Sequence, residues 1–194
     1  MLQAGRVIAD APPESAIQKY LESAQNQTDD LLLRKDRNGS GTVRASGLVL
    51  YGEDGRATRQ VRCGENVEIA LHYLNRIGSD LKQVGVGIGL FDLYGRAVTF
   101  AENRPLGVRV AAMAGGGTFR CRIPRFRLTP GRYWINCAIY HGTDLCDEVE
   151  HAAICDVVEG DFFGTGKLTY TGSGGVLVEQ EWDADTSPKP MTAC

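Results

Sequence analysis

From Thr42 onward the chain breaks into short alternating stretches cut by turn signals about every ten residues, and that rhythm restricts it to packed β-strands. Strands are expected near 43–51, 57–62, 66–75, 83–92, 97–102, 117–124, 132–141, 149–158, 167–171 and 175–182. Glu53-Asp54-Gly55, Leu93-Tyr94-Gly95, Gly115-Gly116-Gly117 and Thr129-Pro130-Gly131 supply the tight turns between them. Many short strands at this spacing predict an all-β sandwich, with no substantial helix after residue 42.

The clearest strand is the run PGRYWINCAIYH at 130–141. Its alternation assigns Tyr133, Ile135, Cys137 and Ile139 to the core and Trp134, Asn136, Ala138 and Tyr140 to the opposite face. A Trp, an amide and a Tyr on one face suit stacking and hydrogen bonding with an amphipathic ligand such as a sugar. In the strand at 83–92, Val84, Val86, Ile88 and Leu90 form the apolar phase, while Gly85, Gly87, Gly89 and Phe91 form the other. Three glycines on one phase forfeit packing but leave a bare floor. In an immunoglobulin-type sandwich these two strands share a sheet with 149–158, whose outward phase is Glu150, Ala152, Ile154 and Asp156. The assembled expectation is a shallow trough: floor Gly85, Gly87 and Gly89, walls Trp134 and Tyr140, and polar groups Asn136, Glu150 and Asp156. The competing reading is that the glycines admit another strand or a second protomer.

The N-terminal part differs. Ile17, Tyr20, Leu21 and Ala24 share one face of a helix expected over about 15–24. The polar stretch that follows, with only Leu31 to Leu33 interrupting, reads as a linker. The expected organisation is therefore 1–24 as the tail of another domain, 25–41 as linker, 42–183 as the sandwich, and 184–194 as a disordered tail.

Several function classes are disfavoured. The formal net charge of −3 gives no electrostatic case for nucleic acid. The 194-residue chain has no apolar run near the roughly 20 residues that span a bilayer, and no signal-peptide pattern, so a cytoplasmic location is expected. Its six cysteines are dispersed without CxxC pairs, which argues against zinc and for small core hydrophobes in a reducing compartment. His72, His141 and His151 lie on separate strands, and no nucleophile or metal motif accompanies them. Gly164-Thr165-Gly166-Lys167 lacks the earlier glycine and the following Ser or Thr of a phosphate loop, because Asp161 and Leu168 stand there. Glu150 and Asp156, six residues apart on one strand, are about 20 Å apart at about 3.3 Å per residue, too far for a glycosidase pair. A non-enzymatic protein without cofactor is expected.

An ordered series of motifs carries a resemblance. It begins with Gly39-Ser40-Gly41-Thr42-Val43-Arg44 and Cys63-Gly64-Glu65-Asn66-Val67, and continues through Val84-Gly85-Val86-Gly87-Ile88 and Leu128-Thr129-Pro130-Gly131-Arg132-Tyr133. It closes with Gly160-Asp161-Phe162-Phe163-Gly164-Thr165-Gly166 and a last strand ending at Trp182. Over about residues 39 to 183 the chain resembles the C-terminal carbohydrate-binding domain of Wzt-type ATPases, subunits of ABC transporters that export O-antigen polysaccharide. The resemblance implies an immunoglobulin-like antiparallel β-sandwich that binds the lipid-linked glycan at the cytoplasmic face of the inner membrane, with the transporter's transmembrane subunit as partner of the full-length protein. It further implies a homodimer with exchanged C-terminal strands. Gly172-Ser173-Gly174-Gly175 fits a hinge, and Gly175, Val176, Leu177, Val178 and Trp182 would form the exchanged segment. The alternative function is a structural dimerisation or docking module without a glycan site.

Overall fold

The computed structural model describes residues 30–168 and 175–182, together with the backbone of a short antiparallel pairing between β1 (Leu2–Gln3) and β2 (Arg6–Val7). The strands of the sandwich follow as β3 (Val43–Tyr51), β4 (Ala57–Thr58), β5 (Gln60–Arg62), β6 (Val67–Asn75), β7 (Leu81–Phe91), β8 (Ala97–Glu102), β9 (Val110–Ala112), β10 (Gly117–Ile123), β11 (Gly131–His141) and β12 (Asp144–Val158). They form two sheets, ordered β10-β6-β3-β4 and β5-β12-β11-β7-β8, with β9 beside β7. Neighbours are antiparallel except β5 and β12, which run parallel. This is the expected all-β, immunoglobulin-like sandwich.

The alternation read from the sequence decides what is inside. Tyr133, Ile135, Cys137 and Ile139 of β11 are all buried, and so are Val84, Ile88 and Leu90 of β7. One cluster gathers Leu50, Ile69, Leu90, Ile135 and Val157, and the other gathers Val43, Leu71, Ile139 and Val149. Cys63, Cys137, Cys146 and Cys155 are buried free thiols, and burial pushes Cys137 and Cys155 up to about 12. They are packing residues, as expected of small core hydrophobes, while Cys121 is only partly buried.

Four local expectations change. The single strand expected at 57–62 is two: β4 stays with β3, and β5 crosses to the other sheet. The break is at Arg59, where the Thr58 hydroxyl both accepts from the Gln60 N–H at 3.0 Å and donates to the Gln60 carbonyl at 2.9 Å, a local bond that competes with the ladder. The three-residue β9 was not anticipated, because so short a run carries no periodicity. Residues 30–41, read as linker, are fastened to the sandwich. Leu31 opens a 3-10 turn (Leu31–Leu33) and is buried in the second cluster, and Asn38 to Gly41 pair along β12. Gly39 makes that pairing possible, since at φ +106° a Cβ would lie 2.6 Å from the Cys146 backbone.

Finally, 175–182 is not a regular strand. Val176 bridges Leu128, and the backbones of Gly175 and Leu177 bond those of Thr129 and Arg127. The helix expected over 15–24, most of the strand at 167–171, the first three hinge residues and the tail 184–194 lie outside the described residues.

Candidate ligand-binding face

The outward phases of β7 and β11 meet in register. Gly85 lies opposite Tyr140, Gly87 opposite Ala138, and Gly89 opposite Asn136. On the far side of β7, Phe100 lies opposite Gly89 and Glu102 opposite Gly87. On the far side of β11, Glu148 lies opposite Ala138. The glycines and the 134–140 phase therefore do share one sheet face.

The floor is bare only at its middle. A Cβ on Gly85 would meet the Arg104 side chain at 2.9 Å, and one on Gly89 would meet the Phe91 and Phe100 rings at 2.7 and 2.9 Å. Gly87 has nothing within 4 Å. The walls are Phe100, 67% exposed and edge-on to Phe91, and Tyr140, whose ring carries the Arg104 guanidinium at 4.5 Å. Arg104 is also paired with Glu102. Phe100, Glu102 and Arg104 escaped the sequence reading. Strict alternation groups Phe100 with Val98, which packs on the core, and only the register shift of β8 against β7 at Val98 turns Phe100 and Glu102 to the outer face.

Trp134 does not form a wall. It is 2% exposed and lies beneath His151, ring centroids 4.6 Å apart. The cause is a bulge in β12: Ile135 pairs with Ala153 and Cys137 with Val149, so Glu150, His151 and Ala152 stand opposite Asn136 alone. His151 adopts φ +50°, a strained conformation for a side-chain-bearing residue, and several bonds hold it. Its N–H donates to Asn136 Oδ1 at 2.7 Å, and Arg34 donates to the carbonyls of Glu150 and His151 at 2.9 and 3.2 Å. Asp36 grips the same guanidinium, and that hydrogen bond lowers its carboxyl below the usual range. Burial in turn lowers the His151 imidazole.

Asn136 thus spends its amide oxygen on the bulge. Asp156 is engaged by Arg132 at 2.6 and 3.0 Å, away from the bare floor, and Glu150 is exposed. The trough read from sequence contracts to Gly87 and Ala138 between Phe100 and Tyr140, with Glu102, Arg104 and Glu148 as polar groups. Of the segment assigned to dimerisation, Leu177 packs on the core, while Val176, Val178 and Trp182 are exposed. Among the described residues there is no group of three or more His, Cys, Asp or Glu side chains placed to hold a metal, and no helix long and apolar enough to cross a membrane.

Two facing sheets joined in this order, with one sheet face bare at its centre, define an immunoglobulin-like β-sandwich domain. The model of the Wzt C-terminal domain family matches residues 34–171. The chain belongs to that family, the non-catalytic domain of an ABC-transporter subunit. Its fold is similar to a crystal structure of the C-terminal domain of Wzt, with a TM-score of 0.61 and 14% identity over 82% of this chain and 98% of that one. More distant are a β-glucuronidase of glycoside hydrolase family 2 (TM-score 0.37, 14% identity, 50% of this chain and 10% of that one) and a β-glucosidase from Listeria innocua in complex with gluconolactone (0.33, 13%, 63% and 16%). No curated protein matches the chain.

Proposed function

We propose that this domain is a non-catalytic carbohydrate-binding module that selects a lipid-linked O-antigen polysaccharide for export. The full-length subunit engages the transmembrane partner at the cytoplasmic face of the inner membrane, and the domain dimerises by exchanging its C-terminal segment. The observation that carries the glycan reading is the low floor of Gly87, open above its backbone, and the Ala138 methyl, flanked by an exposed Phe100 ring and by Tyr140 under Arg104. A pyranose laid there buries its C–H face on Phe100, while Glu102, Arg104 and Glu148 exchange hydrogen bonds with its hydroxyls. Each such bond nets about 1 kcal/mol against water, so one shallow site binds weakly and a repeating polymer adds avidity.

The test is chemical-shift perturbation of the protein with the source strain's own polysaccharide against an unrelated one. Shifts confined to the cognate polymer and centred on Gly87, Ala138 and Phe100 support the reading. Equal responses, or none, leave the docking module as the account of this domain.

A further inference from the structure

A second concavity lies where β3 and β12 face each other. Both strands bulge there: β3 slips register between Ala45 and Gly47, leaving Ser46 out of the ladder, and β12 slips at Glu150 to Ala152. The chain crossing at Ala57 to Arg59 borders the opening, and the groove encloses about 760 Å³, within the range of about 300–1,000 Å³ typical of small-molecule sites. Bulges commonly sit beside functional sites, where they redirect side chains. Here one of them holds His151 at positive φ against Trp134 through the Arg34 and Asn136 bonds.

The chemistry of the lining is specific. Its apolar part includes Leu48, Trp134 and Ile154, and its polar part includes Thr58, Arg59, His72, His151 and Asp30. His72 is oriented by a 2.8 Å bond between its Nδ1 and the Thr118 hydroxyl. The lining holds one guanidinium, Arg59, and one carboxylate, Asp30, so the groove has no surplus charge with which to select an ion. Donors and acceptors spread around an apolar floor match a neutral ring bearing several hydroxyls.

We propose that this groove is a second sugar subsite, taking a neutral pyranose. It rests on the function proposed above only for the class of ligand. The two subsites are linked along β11: Trp134 is four residues from Ala138, about 13 Å at about 3.3 Å per residue. Asn136, midway, carries the bond that holds His151. A polymer on the outer face that crosses the β12 bulge therefore reaches the groove, and affinity rises with oligosaccharide length until both are filled.

Histidines report on this directly, because His72 and His151 line the groove while His141 stands exposed at the far end of β11. The full chain is titrated with methyl glycosides of the sugars that build the source strain's polysaccharide, and the imidazole ring resonances are followed by NMR. The His72 and His151 signals are expected to shift while His141 stays fixed. Ala57→Trp, at an exposed position on the groove's rim, is expected to abolish those shifts, Arg59→Ala to weaken them severalfold, and Gly87→Leu to leave them intact. Silent His72 and His151 signals at millimolar glycoside overturn the proposal, as do undiminished shifts in folded Ala57→Trp. Silent histidines together with polysaccharide binding that Gly87→Leu abolishes would sink the groove alone; shifting histidines with polysaccharide affinity unaffected by Gly87→Leu would sink the outer face alone.

Discussion

A Cβ added at Gly89 collides with two aromatic rings, whereas one added at Gly87 meets open space, so two glycines of one strand phase serve different ends. Gly89 accommodates the Phe91 and Phe100 pair, and Gly89→Leu is expected to lower stability by about 1–3 kcal/mol through overpacking. Thermal melts of Gly89→Leu and Gly87→Leu side by side check this, and equal melting temperatures would contradict it. His151 gives a pH signature. Burial, with Arg34 nearby, holds its imidazole below the ordinary 6.5, against the opposing pull of Glu150 and Asp36. The unfolded chain therefore takes up the proton first, and unfolding free energy falls as pH drops from about 6.5 through the lower folded value. His151→Gln is expected to flatten that fall in denaturant titrations at pH 7 and pH 5. Trp134 shows where residue-level reading stopped. Alternation correctly gave its face, but the ring that covers it arrives from a bulge, and a bulge is an irregularity that period-two patterning cannot register.

At the scale of elements, the segment before β3 is the least expected feature. Arg37 forms a buried, forked pair with Asp147 and also donates to the carbonyls of Leu31 and Ala45, while Asp147 accepts from the Ala45 N–H at 2.8 Å. Nothing in a polar sequence distinguishes such a clasp from a linker, because its partners lie about a hundred residues away in β12. Asp147→Ala leaves Arg37 buried and unpaired and is expected to cost about 3–5 kcal/mol, read as a lowered denaturation midpoint. Starting the chain at Gly39 removes Leu31, Arg34 and Arg37 together and is expected to lower the melting temperature markedly; an unchanged melt would mean that the clasp is idle. The strands themselves were legible, β3 and β8 to the residue, since half-buried strands must alternate. At the other end, Leu177 is packed but Val178 and Trp182 are not, with Trp182 84% exposed. Exchange of this segment between two copies would cover them, and exchanging identical elements needs no new interface chemistry. Deleting 175–194 is expected to convert a dimer to monomer or aggregate by light scattering, and a dimer that survives the deletion excludes the exchange.

For the whole molecule, the two sheets present different surfaces. The four-stranded sheet packs with the clasp of residues 31–41, and the six-stranded sheet turns outward a face whose centre, Gly87 beside Ala138, carries no side chain larger than a methyl. Fold and family follow from alternation and motif order. The candidate face was half legible: the glycines and Tyr140 were visible in the strand phases, while Phe100, Arg104 and the β12 bulge depend on how edge strands and loops fold over the sheet. Whether that face binds the polymer is settled most directly by calorimetric titration of the source strain's polysaccharide into the protein and into Gly87→Leu. Weak, saturable binding to the first and severalfold weaker binding to the equally stable second, which keeps only the groove, is the expected result; equal affinity for both would contradict a glycan site on this face.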